Sequence, residues 1–506
     1  MAMDAAGKSG RSHTSDTSSR YTFPVALDAL SLKRMVEDAV DWAHGHGMVM
    51  RTPQHKDRSD VCQTAPFTLL PSPFPRRIFQ QAVDIQQATN LLYFRISWDC
   101  DFLIKSHADV VKTDDFTRHF VEILKRVHEA GVKQRKTLLI QRADYMCDDR
   151  GDGEFRLRQV EVNNIAASMG WLSEMASRLH RRVLQDLNVP DDVIANALPQ
   201  NRAIDTVAEG IYDAWLDFGD QSALILFVVE EVNQNQLDQR HVEYRIDQLS
   251  SRRAKCIRLT LTQCAERLSL GGASGYDLMY DARRRICIVY FRAGYLPDNY
   301  CSEREWNARL TMELSNAIKC PWIGLQLANT KKVQQVLACD GQLERFLPER
   351  TADCDRVRAT FAGLWGLEND DVQTQAIIKE AIEHPEQFVL KPQLEGGGGN
   401  YYGEEVAQKL REMSHDERAA HILMERIQPM HVKNYLVRPF EDVSMGEVVG
   451  ELGIYGCLYA EPALDAGNEK ILKNVSHGHI IRSKAENVDK GGVAIGAAVI
   501  DSPFLF

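Results

Sequence analysis

Phe388-Val389-Leu390-Lys391-Pro392-Gln393-Leu394-Glu395-Gly396-Gly397-Gly398-Gly399-Asn400-Tyr401-Tyr402-Gly403 is the stretch on which the reading of this chain turns. The apolar run from Phe388 to Leu390 has the composition of a buried strand, and it delivers Lys391 into a run of four glycines. Glycine has no Cβ to block close approach, so such a run can wrap its N–H groups around an anion. Glu395 has the wrong charge for a phosphate unless a cation lies between them, and Mg²⁺ is the usual one. A P-loop is excluded, because the lysine precedes the glycines and no Ser or Thr follows it. A bare glycine run is equally a linker; the lysine and the carboxylate beside it favour a nucleoside triphosphate site.

Working outward, residues 404–413 read as a helix and 422–427 as a strand entering Pro429. Residues 450–456 read as a strand with one acid, Glu451, among apolar neighbours, and Ile480-Ile481-Arg482-Ser483-Lys484 lies further on. A second glycine-rich stretch follows at 489–498, and two such loops in one half of a chain suggest flaps over one cleft. Upstream, Lys331-Lys332 opens a helix and residues 353–384 read as helical. The buried strand 223–229 runs into a polar loop, 230–240, and is followed by a strand near 255–259. The buried strand 286–291 ends at Arg292-Ala293-Gly294-Tyr295. Ligand-type groups at strand ends are the mark of an open α/β sheet, so residues 220–330 read as a semi-independent substrate lobe.

Nearer the N-terminus, the spacing predicts helices over 23–50, 76–105, 168–187 and 205–218. The clearest helix covers 112–131, with Phe116, Phe120, Ile123, Leu124 and Val127 on one stripe and Gly131 as its stop. Leu138-Leu139-Ile140 reads as a strand ending in Gln141-Arg142-Ala143-Asp144-Tyr145. Residues 155–164 alternate, which puts Glu161 and Asn163 on one face, where together they can ligate a hard cation. Taken alone, that pair is more often a solvated strand face.

A chain of 506 residues exceeds one core and predicts two or three domains. Its 44% hydrophobic and 26% charged content is that of a globular protein. The net charge of −11 argues against a general nucleic-acid binder, and no apolar run reaches the ~18 residues that cross a bilayer. Residues 1–20 are polar and read as a disordered tail without a signal peptide, which points to the cytoplasm without excluding secretion after removal of a signal. The 11 cysteines are odd in number and lack a C-x-x-C pair, the pattern of reduced thiols. His477 and His479, without a third ligand nearby, read as ordinary histidines rather than a metal pair.

From about Phe74 onward the chain resembles the eukaryotic glutathione synthetase family of ATP-grasp ligases. The resemblance is carried by V-E-V-N-N-I, N-Q-L-D-Q-R, Y-F-R-A-G-Y, T-K-K-V-Q-Q, the glycine stretch itself, I-L-M-E-R-I, E-L-G-I-Y-G and R-S-K…D-K-G-G-V-A, in the family's order. It implies a mixed α/β (α+β) ATP-grasp fold with an inserted α/β substrate domain and glycine-rich lid loops. The division expected is a tail over 1–20, an N-terminal body over 21–219, a substrate domain over 220–330 and a lid-bearing region over 331–506. It further implies ATP and a pair of Mg²⁺ ions, γ-glutamylcysteine and glycine as substrates, a homodimer, and no nucleic-acid or membrane partner.

Carried over residue by residue, Glu161, Asn163 and Glu395 would hold the metal, and Lys331 and Lys391 the phosphates. Gly396, Gly397, Gly398, Gly399, Asn400 and Tyr402 would form the flap. Met424, Glu425, Arg426 and Ile427 would seat adenine, Glu451 would meet the ribose, and Lys484 and Asp489 would close over the nucleotide. Arg142, Lys391 and Arg482 would be catalytic, with Arg142 and Arg482 also gripping substrate carboxylate. Ile165, Ala166, Ala167, Ser168, Asn233, Gln234, Asn235, Gln239, Arg292, Ala293, Gly294 and Tyr295 would line the dipeptide pocket, and Val493 and Ala494 the glycine wall.

Ala166 stands where the family usually has serine, Asn233 where an acid precedes Asn235, and Gly399 where an asparagine is usual; the C-terminal flap carries an extra residue near Lys490. The first two departures fall on the dipeptide side. They leave open a related ligase with another dipeptide or amine acceptor, or an interaction protein on the same fold.

Overall fold

The computed structural model describes residues 25–393, 399–463, 467–489, 492–493 and 496–506. Its centre is a mixed seven-stranded sheet in the order His431–Val437, Phe67–Thr68, Val499–Asp501, Lys470–Ala485, Met445–Glu461, Thr137–Asp149, Phe155–Asn163. Both faces are covered. Along Met445–Glu461, Leu452, Ile454 and Leu458 enter one core with the Arg76–Trp98 helix, while Tyr455, Cys457 and Tyr459 enter the other with the helices Gly170–Asp186 and Ala203–Phe218.

The second sheet runs Lys255–Leu259, Leu224–Val228, Arg284–Phe291, Asp277–Tyr280, Leu268–Gly271, with Ile318–Cys320 also paired to Arg284–Phe291. Leu224–Val228, Arg284–Phe291 and Ile318–Cys320 are parallel, so their C-terminal ends lie along one edge. Its apolar residues are continuous with the central cores: Leu226 and Val289 join Leu139 and Ala143, and Phe227 and Ile288 join Leu138 and Ile140.

A third, antiparallel sheet is ordered Leu364–Gly366, His421–Glu425, Phe388–Pro392, Tyr401–Tyr402. It has its own core, in which Phe388, Leu390 and Leu423 meet Ile378 and Ala381 of one helix and Val406 and Leu410 of another. Strand alternation turns Val389, Lys391, Ile422 and Met424 to the opposite face.

The predicted helix 112–131 is found as Asp115–Ala130, capped by Asp114 accepting from Thr117 N at 2.7 Å and ended by Gly131 at φ 75°. Burying Phe120, Ile123, Leu124 and Val127 contributes ~1.5–3 kcal/mol each.

Other expectations need correction. The first helix ends at Gly45, and Val49–Arg51 is a strand on Cys62–Thr64, because Gly47 at φ 70° turns the chain. The 76–105 helix breaks at Asp99, which caps a new helix by accepting from Phe102 N at 2.9 Å. The 353–384 helix is two helices, Thr351–Arg358 and Val372–Glu383, separated by the strand Leu364–Gly366. The polar loop after residue 229 stops at Asn235, since Gln236 begins a helix to Leu249. The strand starting near Leu138 continues to Asp149, so Arg142 and Asp144 lie in its middle rather than at its end. Among the described residues, no helix is long and apolar enough to cross a membrane.

Candidate functional site

Arg142 and Asp144 are two apart on the Thr137–Asp149 strand and therefore share a face. They pair through both oxygens, Arg142 Nε to Asp144 Oδ1 at 2.7 Å and Nη2 to Oδ2 at 2.8 Å. Arg482 Nη2 donates to Asp144 Oδ2 at 2.7 Å and to Glu451 Oε1 at 2.7 Å. Asn163 Nδ2 donates to the same Asp144 oxygen at 2.8 Å. Asp144 is fully buried. Burial would raise its pKa, but the Arg142 and Arg482 guanidiniums outweigh that and hold it below the usual range. Glu451 goes the other way: burial raises its pKa and Arg482 only partly offsets this, with Asp144 and Glu161 pushing it further up.

The cluster has room because residue 453 is glycine. A Cβ there would meet Asp144 Oδ1 at 2.7 Å and Arg142 Cδ at 2.8 Å. Neither Asp144 nor Gly453 stands among the sequence-derived site residues. The signal for Asp144 was the Arg-x-Asp spacing on one strand face, hidden by treating that segment as a strand end.

Lys391 leaves the third sheet and reaches the Phe155–Asn163 strand of the central sheet, where its Nζ donates to Val160 O at 3.2 Å. Burial lowers its pKa to about 8, with the neighbouring Glu161 opposing the shift and Lys331 adding to it. Lys331 Nζ lies 3.7 Å from Glu161 Oε2. Lys331, Lys391, Glu161 and Glu451 thus meet where the third sheet and the central sheet face each other. Lys332 is turned elsewhere, its Nζ on Glu368 Oε1 at 2.6 Å and its N–H on Gln393 Oε1 at 3.0 Å.

The helix bearing Lys331 is capped by Thr330, and Thr330 Oγ1 is held by His107 Nε2 at 2.8 Å. His107 Nδ1 donates to Leu103 O at 2.7 Å, which leaves Nε2 as the acceptor. Burial keeps this imidazole neutral, its pKa lowered to about 4.

On the expected adenine side, Met424 is buried on the strand face that also carries Lys391. Glu425 is engaged: its Oε1 accepts from Arg150 Nη2 at 2.7 Å and its Oε2 from Gly363 N at 3.0 Å. The N–H groups of Glu425 and Arg426 are also taken, by Gly363 O and Gln387 O at 2.8 and 2.7 Å. Arg426 Nη2 holds Asp489 Oδ1 at 2.9 Å, Lys484 Nζ holds Asp489 O at 2.6 Å, and Asn400 Nδ2 reaches Tyr402 Oη at 3.4 Å. Ile427 lines a cavity of about 880 Å³ with Trp365 and Phe388.

On the expected dipeptide side, Asn233 is tied into its own loop, Nδ2 on Glu230 Oε2 at 2.6 Å and Oδ1 accepting from Asn235 N at 2.8 Å. Gln234 O accepts from Arg51 N at 3.0 Å. Gln239 Oε1 accepts from Arg258 Nη2 at 2.8 Å. Asn235, Arg292 and Ala293 are buried. Ser168 presents its carbonyl to Tyr455 Oη at 2.6 Å and to Arg142 Nη1 at 3.4 Å. Ala166 sits at φ 51°, a left-handed conformation that costs a non-glycine residue roughly 1–2 kcal/mol. Ile165, Ala167 and Val493 are buried among apolar side chains. Asp238, absent from the sequence-derived set, accepts from Met169 N at 2.8 Å and Trp171 N at 3.0 Å, fastening the first turn of the Gln236–Leu249 helix to the segment after the metal-strand candidate.

Glu395, Gly396, Gly397, Gly398 and Ala494 lie outside the described residues, as do residues 1–20 and Lys490. Among the described residues, no group of three or more His, Cys, Asp and Glu side chains is arranged to hold a metal. Glu161 and Asn163 fit part of a hard-cation site: the Asn163 amide nitrogen is spent on Asp144, which leaves its oxygen as the ligating end.

Residues 29–505 match the family model described as eukaryotic glutathione synthase, ATP binding domain. The chain is 39% identical to glutathione synthetase of Xenopus laevis over 479 residues, covering 94% of this chain and 98% of the relative. It is 39% identical to the Homo sapiens glutathione synthetase, again covering 94% and 98%, and 36% identical to a chloroplastic glutathione synthetase of Solanum lycopersicum, covering 97% and 87%. Among solved structures, a glutathione synthetase like-effector from Globodera pallida superposes with a TM-score of 0.75 at 30% identity, covering 95% of this chain and 98% of that one.

Proposed function

Because the chain belongs to the eukaryotic glutathione synthetase family, we propose that it ligates γ-glutamylcysteine to glycine with ATP, releasing ADP and phosphate. The observation that carries this reading is the meeting of four cationic side chains, Arg142, Arg482, Lys331 and Lys391, around buried carboxylates at the junction of lid and central sheet.

The dipeptide's cysteinyl carboxylate attacks the γ-phosphorus, and the bond to the ADP oxygen breaks, giving an acyl phosphate. The glycine amine then adds to the acyl carbon, loses a proton, and phosphate leaves. Arg142 and Arg482 hold the reacting carboxylate and the charge that develops on it, since guanidinium grips a carboxylate through paired N–H groups. Asp144 fixes both guanidiniums in advance, so little reorganisation accompanies reaction. Lys331 and Lys391 hold the phosphates. Met424, Arg426 and Ile427 flank the base, Glu451 lies toward the ribose, and Tyr402, Lys484 and Asp489 close the nucleotide side. Glu161 and Asn163, with Glu395, would hold Mg²⁺, which when bound neutralises the triphosphate oxygens. Gly396 to Gly399 and Asn400 cover the phosphates, and Val493 and Ala494 wall the glycine subsite, excluding the water that would hydrolyse an acyl phosphate.

Residues 220–330 serve as the substrate domain between an N-terminal body, 21–219, and the lid-bearing region, 331–506. The assembly is a homodimer, with small molecules as ligands, acting in the cytoplasm. Ala166 lacks a hydroxyl and Asn233 is occupied by Glu230, which favours as a second reading a ligase with another dipeptide or amine. The test is ADP release with Mg-ATP, γ-glutamylcysteine and glycine, each omitted in turn, with the product mass measured. Turnover that requires all three and yields glutathione supports the first reading; turnover only with another dipeptide or amine supports the second. ADP formation with none of them overturns both.

A further inference from the structure

Three adjacent parallel strands, Leu224–Val228, Arg284–Phe291 and Ile318–Cys320, end along one edge of the second sheet. Each is followed by a segment with a polar side chain that is more than nine-tenths buried: Asn235, Arg292 and Gln326. In each, one atom has no hydrogen-bond partner among the described residues: Asn235 Oδ1, Arg292 Nη1 and Gln326 Oε1. Buried polar atoms are nearly always paired, and leaving one unpaired is unfavourable. Three at one sheet edge mark a place built for a ligand.

Gln326 was not among the residues expected at the site. It lies on the short helix Ile323–Ala328, and its Nε2 donates to Gly294 O at 2.8 Å. The Gly294 peptide is pinned further by Tyr300 Oη on the same carbonyl at 3.2 Å and by its own N–H on Asn299 Oδ1 at 2.8 Å. The same helix touches the strand carrying Glu161 and Asn163, because Asn164 Nδ2 donates to Leu325 O at 3.0 Å. Gln326 therefore stands between the Arg292–Tyr295 loop and the end of that strand, one end of its amide spent and the other open. Asn235 occupies the first cap position of the Gln236–Leu249 helix yet makes no capping bond, so its oxygen too is open.

We infer that Gln326 is a specificity-determining residue for the dipeptide, its Oε1 accepting a hydrogen from the α-ammonium of the γ-glutamyl end. This rests on the function proposed above. The two open oxygens and one open guanidinium N–H are complementary to an amino-acid head, which offers three ammonium hydrogens and a carboxylate. The dipeptide's amide offers a single N–H and cannot satisfy both oxygens. Asn233 is not available to do so, since its amide is closed on Glu230 and Asn235.

The experiment compares γ-glutamylcysteine with its des-amino analogue, glutarylcysteine, by kcat/KM and by calorimetric binding, in wild type, Gln326→Met and Gln326→Glu. Wild type is expected to prefer γ-glutamylcysteine by ~100-fold or more. Gln326→Met should lose ~10-fold of that preference, because the lost bond is to a charged group. Gln326→Glu keeps an acceptor and gives up the Gly294 bond, so it should retain the preference even if absolute turnover drops. A merely structural role would slow both substrates alike, and an unchanged ratio in Gln326→Met overturns the inference. If Gln326→Met does not fold, as judged by thermal melting, a collapse of the ratio in Gln326→Glu overturns it instead. Wild type that neither binds nor turns over γ-glutamylcysteine overturns the proposed function itself, a result distinct from binding without discrimination, which sinks only the role of Gln326.

Discussion

Arg142 and Arg482 arrive on strands separated by the Met445–Glu461 strand, yet both close on the single carboxylate of Asp144. Removing that charge should uncouple them. Asp144→Asn is expected to lower kcat roughly 100-fold or more and to cost ~3–5 kcal/mol of stability, because it leaves buried cations uncompensated. Steady-state kinetics together with denaturant unfolding checks this. Near-normal turnover would mean that the arginines are positioned by something else.

Gly453→Ala tests the same cluster sterically. The new Cβ must displace Asp144 or Arg142, both buried, so kcat should fall at least tenfold, while a crystal structure shows the guanidinium moved. An unchanged kcat would separate cluster geometry from catalysis.

Lys391 is ordinarily protonated up to about pH 10.5, but burial lowers its pKa to about 8 in the folded chain. The unfolded state then binds the proton more tightly, so this group's contribution to stability is present above pH 10.5 and is lost as pH falls to about 8. At pH 7 the charge is a net cost, on the order of 3 kcal/mol. Lys391→Met should accordingly raise the melting temperature of the ligand-free protein while abolishing turnover. In wild type, triphosphate affinity should weaken as pH rises past about 8, which nucleotide titration across pH 7–9.5 measures.

His107 behaves with the same sign over a lower interval. It is neutral in the fold down to about pH 4 against an ordinary value of 6.5, so its contribution is intact above 6.5 and disappears as pH falls towards 4. His107→Gln should flatten the loss of stability over that interval, read as chemical-denaturation midpoints at each pH. A profile that still matches wild type would assign acid lability elsewhere.

Glu161→Gln should raise the Mg²⁺ concentration for half-maximal activity at least tenfold, with a smaller effect on dipeptide KM, because a carboxylate is traded for a neutral amide. Activity measured against Mg²⁺ at saturating ATP decides this.

The motifs were legible because strand ends and loops display them without interruption: Lys391 before its glycines, Glu161 two positions from Asn163, Arg292 after an apolar strand. The Leu364–Gly366 strand was not legible, since its pairing with His421–Glu425 is a distant contact with no local periodicity. Asp144 and Gly453 escaped for a related reason. A carboxylate beside an arginine reads as a surface ion pair, and a glycine in a strand as a weakness, until the register sets Gly453 opposite Asp144. Gln326 carried no signal at all, because its role depends on which carbonyl lies across from it.

The central sheet has one further consequence, for how the chain is made. Val499–Asp501 is inserted between Lys470–Ala485 and Phe67–Thr68, and Asp501 accepts from Ser72, 429 positions away. Phe67 and Thr68 therefore emerge from the ribosome long before either strand that pairs with them, His431–Val437 or Val499–Asp501. Until then their edge is open to other nascent chains, so a chaperone that shields early strands should raise the yield of folded protein, and premature termination upstream of residue 499 should leave a product marked for degradation.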